Sequence, residues 1–202
     1  MTMKISEAIF SGSSTRISER PAERLPEIAF IGRSNVGKSS LINMLCNNRK
    51  LAMTSSTPGK TKLVNHFRIN GRWYLVDLPG YGFAKMAGKE REKLHAIISD
   101  YLSNSLELAM IFVLVDSRHD PQRIDIDFMN ELRDNDIPFG IIFTKGDKLG
   151  PVALRRQTDG YKNELLKIWE GLPPCFLSSS STGLGRDEIL GHIETILENN
   201  TD

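Results

Sequence analysis

Gly32, Gly37, Lys38 and Ser39 stand in the stretch GRSNVGKSS at the spacing G-x4-G-K-S. Each residue type there meets a need of polyphosphate binding. Glycines let the backbone wrap closely, so that its N–H groups point inward at the phosphates. Lys38 neutralises charge on the outer phosphates, and the Ser39 hydroxyl is a ligand for Mg²⁺. Arg33, Ser34, Asn35 and Val36 fill the loop between the two glycines. Similar letters occur in glycine turns that bind nothing, and context separates the two cases. An apolar run, EIAFIG, leads into the loop, and Leu41, Ile42 and Leu45 follow it at helical spacing. The loop then opens a helix whose N-terminal dipole faces the anion.

A second group, Asp77, Leu78, Pro79 and Gly80, ends the apolar run RWYLVD. An aspartate at such a place can hold Mg²⁺ through a water, and the Gly80 N–H can reach a terminal phosphate. The competing reading is a plain turn, since Asp before Pro-Gly is a good turn former. Tyr81 follows, where the best-known small GTPases carry the glutamine that orients the attacking water. A phenol cannot do that job. Thr54, Thr57 and Thr61 precede the run LVNHFRI, and any of the three can close over Mg²⁺.

The run GIIFTKGDK supplies Thr144, Lys145, Gly146 and Asp147. The Asp147 carboxylate can accept from guanine N1–H and N2–H₂, whereas adenine presents a bare acceptor at N1 and leaves a buried carboxylate unpaired. Sites of that kind reject the wrong ligand by about 10⁴-fold or more. The aliphatic stem of Lys145 can lie over the base. The more familiar motif begins with Asn, so the shorter Thr144 predicts a contact that is weakened or moved. Downstream, LSSSSTGLGRDEIL offers backbone N–H groups for guanine O6 from Ser178, Ser179 and Ser180. Ser179 and Ser180 are the preferred pair, with the register open by one; a plain loop ending in a helix cap competes.

These residues need a scaffold that brings the ends of several strands together. Six apolar runs, EIAFIG, LVNHFRI, RWYLVD, LAMIFVLVD, PFGIIFT and PCFLS, read as strands, with helical periodicities between most of them. Leu94, Ile97, Ile98, Tyr101 and Leu102 make one helical face; Ile189, Leu190, Ile193, Ile196 and Leu197 make another. Ile124, Phe128, Met129 and Leu132 support a weaker helix between Pro121 and Arg133. Asn70-Gly71 between two alternating runs signals a hairpin, so the second and third strands are antiparallel neighbours. The expected fold is α/β in three layers: a mostly parallel six-stranded sheet with one antiparallel strand and helices on both faces. Residues 1–25 read as a partly flexible lead-in, whose piece KISEAIF can add an edge strand, and residues 26–202 as one domain.

Among 202 residues, 26 Lys and Arg oppose 25 Asp and Glu, a formal charge of +1. That balance argues against a protein held on nucleic acid by bulk charge, and DNA is not an expected partner, although a local basic patch is compatible with it. Gly82, Lys85, Gly88, Lys89, Arg91 and Lys93 form such a stretch, with Glu90 and Glu92 interleaved. It is either a movable surface for RNA phosphate or a solvated helix face. Cys46 and Cys175 have apolar neighbours and no motif spacing, as buried reduced thiols do. His66, His95 and His192 show no metal spacing, and Arg118 and His119 have no firm role. No signal peptide is evident, and the run AMIFVLV is far shorter than the roughly 20 residues of a membrane span. A cytoplasmic protein without a membrane partner is expected.

The set GRSNVGKSS, TPGKT, DLPGYGFAK, DSRHDP and TKGD resembles the bacterial EngB/YsxC/YihA family of translation-factor-class GTPases, from about Leu25 to Ile196. The resemblance implies a cytosolic GTPase in late assembly of the large ribosomal subunit, linked to normal cell division and septation. A GTP-binding scaffold for division proteins with negligible hydrolysis is the alternative. Within TPGKT the resemblance makes Gly59, Lys60 and Thr61 nucleotide contacts and Thr61 the Mg²⁺ ligand. Related GTPases that lack the glutamine use K⁺ as an added positive charge, held partly by an asparagine of the phosphate loop. Asn35 stands at that position, either as a K⁺ ligand or as a loop-shaping residue. Intrinsic turnover is expected to be slow, about 10⁻⁴ to 10⁻³ s⁻¹.

Overall fold

A computed structural model describes residues 3–53, 63–82 and 88–200. Its strands are β1 (Ala8–Ser14), β2 (Glu27–Gly32), β3 (Val64–Ile69), β4 (Trp73–Asp77), β5 (Leu108–Asp116), β6 (Phe139–Thr144) and β7 (Cys175–Leu177). Its helices are α1 (Lys38–Leu45), α2 (Gly88–Asn104), α3 (Arg123–Asp134), α4 (Pro151–Leu166) and α5 (Arg186–Asn199). They build one seven-stranded sheet in the order β1-β3-β4-β2-β5-β6-β7. β2 pairs in parallel with β4 and β5, and β5, β6 and β7 continue in parallel. Only β3 runs against the rest, pairing antiparallel with β4 and β1.

The sheet thus has seven strands rather than the six expected. The extra one lies in the stretch read as a lead-in: Ala8–Ser14 docks along β3, with a bulge between Phe10 and Gly12. Its weak signal has a physical cause. An edge strand buries little of itself, and four of its seven residues are exposed, so alternation is barely required there. The turn between β3 and β4 is as expected, with Asn70 and Gly71 at φ 50° and 65°, the left-handed pair a tight hairpin needs.

β2 is buried along its whole length, because both faces of the sheet are covered. Ile28 and Phe30 face one core with Leu41 and Ile42 of α1 and Ile189 and Ile193 of α5. Ala29 and Ile31 face the other, with Ile97 and Ile98 of α2, Met129 and Leu132 of α3, and Tyr161 and Leu165 of α4. In α3, Ile124 departs from its expected core role: it is 42% exposed and its tip lies over Gly82. Cys46 is buried, and its apolar surroundings push the thiol up to about 12; Cys175 is half-buried, and both are free. β2 has β4 on one side and β5 on the other, so the chain leaves its C-terminal end where strand order reverses. Ligands of open α/β sheets bind in that crevice.

Candidate functional site

The loop after β2 and the first turn of α1 bring the motif residues together. Gly32 is required by its neighbours: a Cβ there would stand 2.9 Å from the Leu114 carbonyl oxygen of β5. Gly37 ends the loop at φ 101°, a conformation that favours glycine, and α1 starts at Lys38. Asn35 also adopts a positive φ, 60°, at the exposed crest of the loop. Its side chain has no hydrogen-bond partner among the described residues.

Lys38 and Asp77 meet at the base of this crevice, both nearly enclosed, with the Lys38 ammonium donating to Asp77 Oδ1. Burial pulls the Lys38 amine down to about 7, and the carboxylate against it acts in the opposite direction. Ser39 follows in the first turn of α1, half-exposed, and Leu78 and Gly80 carry the chain out of β4. A hydroxyl and one carboxylate are the hard oxygen donors that Mg²⁺ shares with phosphates, and they suit that ion. The described residues hold no cluster of three or more His, Cys, Asp or Glu that would form a metal cage. Gly59, Lys60 and Thr61, together with Thr54 and Thr57, lie outside the described residues, as does Lys85.

The Tyr81 backbone stays tied to the start of the phosphate loop, while its side chain is committed to α3. Its N–H donates to the Gly32 carbonyl at 3.2 Å, its ring stacks on Phe128 of α3 at 4.7 Å, and its hydroxyl donates to Asp125 Oδ1 at 2.8 Å. Burial raises the Asp125 carboxyl above its ordinary value, against the pull of the Tyr81 hydroxyl and the Arg33 charge. Tyr81 is thus committed to α3, and sequence reasoning had no signal for its acceptor 44 residues away.

At the end of β6, Thr144 answers the question its short side chain raised. Its hydroxyl lies 2.6 Å from the Val36 carbonyl and 3.2 Å from that of Val115, so it ties the phosphate loop directly to the sheet. The short side chain thus reaches the phosphate loop through its hydroxyl. Lys145, at φ 60°, sends its side chain across the loop, with Nζ donating to the Asn35 carbonyl at 2.7 Å. The ammonium also pairs with Asp116 at 3.0 Å, and Asp116 is held in turn by Arg118. Sequence reasoning gave Arg118 and Asp116 no role, although a carboxylate at the last position of β5 is a usable signal.

Asp147 accepts from the Ser179 hydroxyl at 2.7 Å and pairs with Lys148 at 3.1 Å. These two donors, Ser179 first, pull its carboxyl down to about 2, so it is ionised at neutral pH. Backbone hydrogen bonding distinguishes the three serines. Ser178 N–H is committed to the Phe143 carbonyl and Ser179 N–H to that of Leu184, while Gly146 N–H reaches the Ser178 carbonyl. Ser180 N–H has no acceptor among the described residues.

A Porphyromonas gingivalis protein named "Probable GTP-binding protein EngB" is 53% identical over 194 residues, 96% of each chain. The chain belongs to the EngB family of GTP-binding proteins. A family model described as "50S ribosome-binding GTPase" matches residues 27–145, and membership makes the chain a GTPase. A Bacteroides fragilis EngB relative is 55% identical over 96% of each chain. Among solved structures, a "probable GTP-binding protein engB" superimposes with a TM-score of 0.68 at 23% identity, over 86% of this chain and 99% of that one. Era in complex with MgGDPNP and nucleotides 1506–1542 of 16S ribosomal RNA superimposes with a TM-score of 0.67 at 23% identity, over 87% of this chain and 56% of that one. Both likenesses bear on the fold alone. No helix among the described residues is long and apolar enough to cross a membrane.

Proposed function

We propose that this EngB-family chain is a slow GTP-driven switch in late assembly of the large ribosomal subunit, in the cytoplasm, and that normal division and septation need it. The observation that carries the guanine reading is Asp147, ionised and held in place by Ser179 at the rim of the crevice. Asp147 would accept guanine N1–H and N2–H₂, Ser180 N–H would donate to O6, and the Lys145 stem would cover the base. The phosphates would lie against the loop from Gly32 to Ser39 and draw the Lys38 ammonium away from Asp77. Ser39 and Asp77, with Thr61, would then hold Mg²⁺, which neutralises charge on the phosphates. With Tyr81 bound to α3, no side-chain amide follows Gly80 to orient water, and that supports slow hydrolysis.

The description of the matching family model supports the ribosomal part of the reading. The exposed Lys89, Arg91 and Lys93 of α2 offer cations to RNA phosphate beside the nucleotide-sensing turn. Co-sedimentation with ribosomal particles is the direct test. Binding to large subunits or their precursors with a non-hydrolysable GTP analogue but not with GDP is expected. No binding in either state would defeat the ribosomal reading and favour a scaffold for division proteins.

Asn35 belongs to the same proposal as a K⁺ ligand, on the strength of its exposed amide, unpartnered among the described residues. Turnover in KCl is then expected to exceed turnover in NaCl by about tenfold, a change of about 1.4 kcal/mol in the barrier. Equal rates in the two salts would leave Asn35 as a loop-shaping residue.

A further inference from the structure

We propose that Asp116, oriented by Arg118, is a positioning residue for nucleotide binding: it holds the Lys145 side chain extended across the phosphate loop before a nucleotide arrives. This rests on the reading above that the Lys145 stem covers the base. Neither Asp116 nor Arg118 belongs to the phosphate loop, to the Asp77–Gly80 turn or to the Thr144–Asp147 motif.

Lysine loses much rotamer freedom when its stem is fixed, and a free lysine would lose it at the moment of binding. Here the ammonium is anchored at both sides, by the Asn35 carbonyl at 2.7 Å and Asp116 Oδ2 at 3.0 Å. The stem between passes over the loop, with Lys145 Cε 3.7 Å from where a Cβ on Gly37 would lie. Sheet register makes this reach available: Asp116 of β5 stands opposite Thr144 of β6, the residue before Lys145.

Asp116 is itself fixed. Arg118 donates Nε to Oδ1 at 2.9 Å and Nη2 to Oδ2 at 2.7 Å, and its own N–H donates to Oδ1 at 3.1 Å. The planar fork of arginine matches a carboxylate in a way that lysine cannot. His119 Nε2 stands farther off, at 4.0 Å. Burial alone would raise the Asp116 carboxyl, but the Arg118 and Lys145 donors outweigh it and hold the group well below the usual carboxylate range. A loose surface ion pair would not bring four donors to a carboxylate that is only 10% exposed.

The test uses the full chain, fluorescent GDP and GTP analogues, and the variants Asp116→Asn, Lys145→Met and their combination. Asp116→Asn is expected to weaken GDP and GTP alike by about tenfold, mainly through faster dissociation, and to keep the preference for guanine over xanthine. Its KM for GTP should rise by a similar factor while kcat falls less than twofold, the mark of binding lost equally in ground and transition states. The double variant should bind no more weakly than Lys145→Met alone, because Asp116 acts through Lys145. Additive losses, or a lower melting temperature with unchanged affinity, would overturn the proposal. Should Asp116→Asn not fold, Arg118→Gln at the more exposed end of the chain of contacts is expected to weaken nucleotide about threefold, and unchanged affinity there would count equally against it. A failure of the base-site reading itself would show separately, as Asp147→Asn binding GTP normally.

Discussion

Asp147→Asn is expected to convert a guanine site into a xanthine site. Guanine presents N1–H and N2–H₂ to a carboxylate that the Ser179 hydroxyl holds at 2.7 Å. An asparagine can keep that hydroxyl as donor to its carbonyl oxygen, so the loop should survive the change. Its amide N–H₂, however, faces guanine N2–H₂ donor to donor. Losing a charge-assisted bond and leaving a donor unpaired costs about 3–5 kcal/mol together, a factor of about 10²–10⁴ in GTP affinity. Xanthine carries a carbonyl at that position and accepts from the new amide. Competition of XTP and GTP against a fluorescent guanine nucleotide reads the outcome, and GTP binding at wild-type strength would remove Asp147 from the base site. The lost ion pair to Lys148 contributes little, since Lys148 is 58% exposed.

Glu27→Ala is expected to destabilise the fold by about 3–5 kcal/mol, which lowers the melting temperature by roughly 10 °C in a chain of this size. Glu27 opens β2, is 3% exposed, and accepts from Tyr101 Oη at 2.6 Å and Ser105 Oγ at 2.8 Å. His66 Nε2 stands 3.3 Å away, and Arg20 Nη1 3.9 Å away. Removing the carboxylate strands the buried Tyr101 hydroxyl and His66 ring, while Arg20 keeps its pair with Glu107. Burial alone would raise the Glu27 carboxyl, but bonds from His66, Tyr101 and Ser105 outweigh it and lower it below the ordinary value. A lowered carboxyl stabilises above its unfolded pKa, and that contribution disappears as pH falls through the folded one. The gap between wild type and variant should therefore be widest near neutral pH and close in acid. Thermal unfolding across that range checks it; a constant gap would mean that Glu27 acts through packing alone. Nucleotide affinity of the folded variant should be nearly unchanged, because Glu27 lies roughly 17 Å along β2 from Gly32.

The sequence by itself determined the parts of this protein whose chemistry needs particular residue types at particular spacings. The phosphate loop, the Asp77–Gly80 turn and the Thr144–Asp147 motif are local: each is a strand end with its turn, and every residue in it lies within a few positions of the others. The mostly parallel character of the sheet followed too, because strands covered on both faces are apolar through most of their length and helices must bury one face, as β2, β5 and α5 do. The hairpin was legible because only a left-handed pair such as Asn70-Gly71 closes so tight a turn.

Tertiary structure decided whatever depends on a partner distant in the chain. Tyr81 reads only as a missing water-orienting group until its hydroxyl is seen on Asp125, which shows what the side chain holds instead. Thr144 reads as a shortened asparagine until its hydroxyl is seen on the Val36 carbonyl, 108 residues away. Glu27 and His66, 39 residues apart, and Asp116 and Lys145 carry no local pattern that pairs them. The edge strand β1 lies half outside the core, where burial scarcely constrains residue type. Periodicity records which side of an element is buried, and motifs record which residues a ligand must touch. Beyond the Asn70-Gly71 hairpin, neither records which strand lies beside which, and that neighbourhood sets the hydrogen bonds by which Lys145, Tyr81 and Glu27 are held.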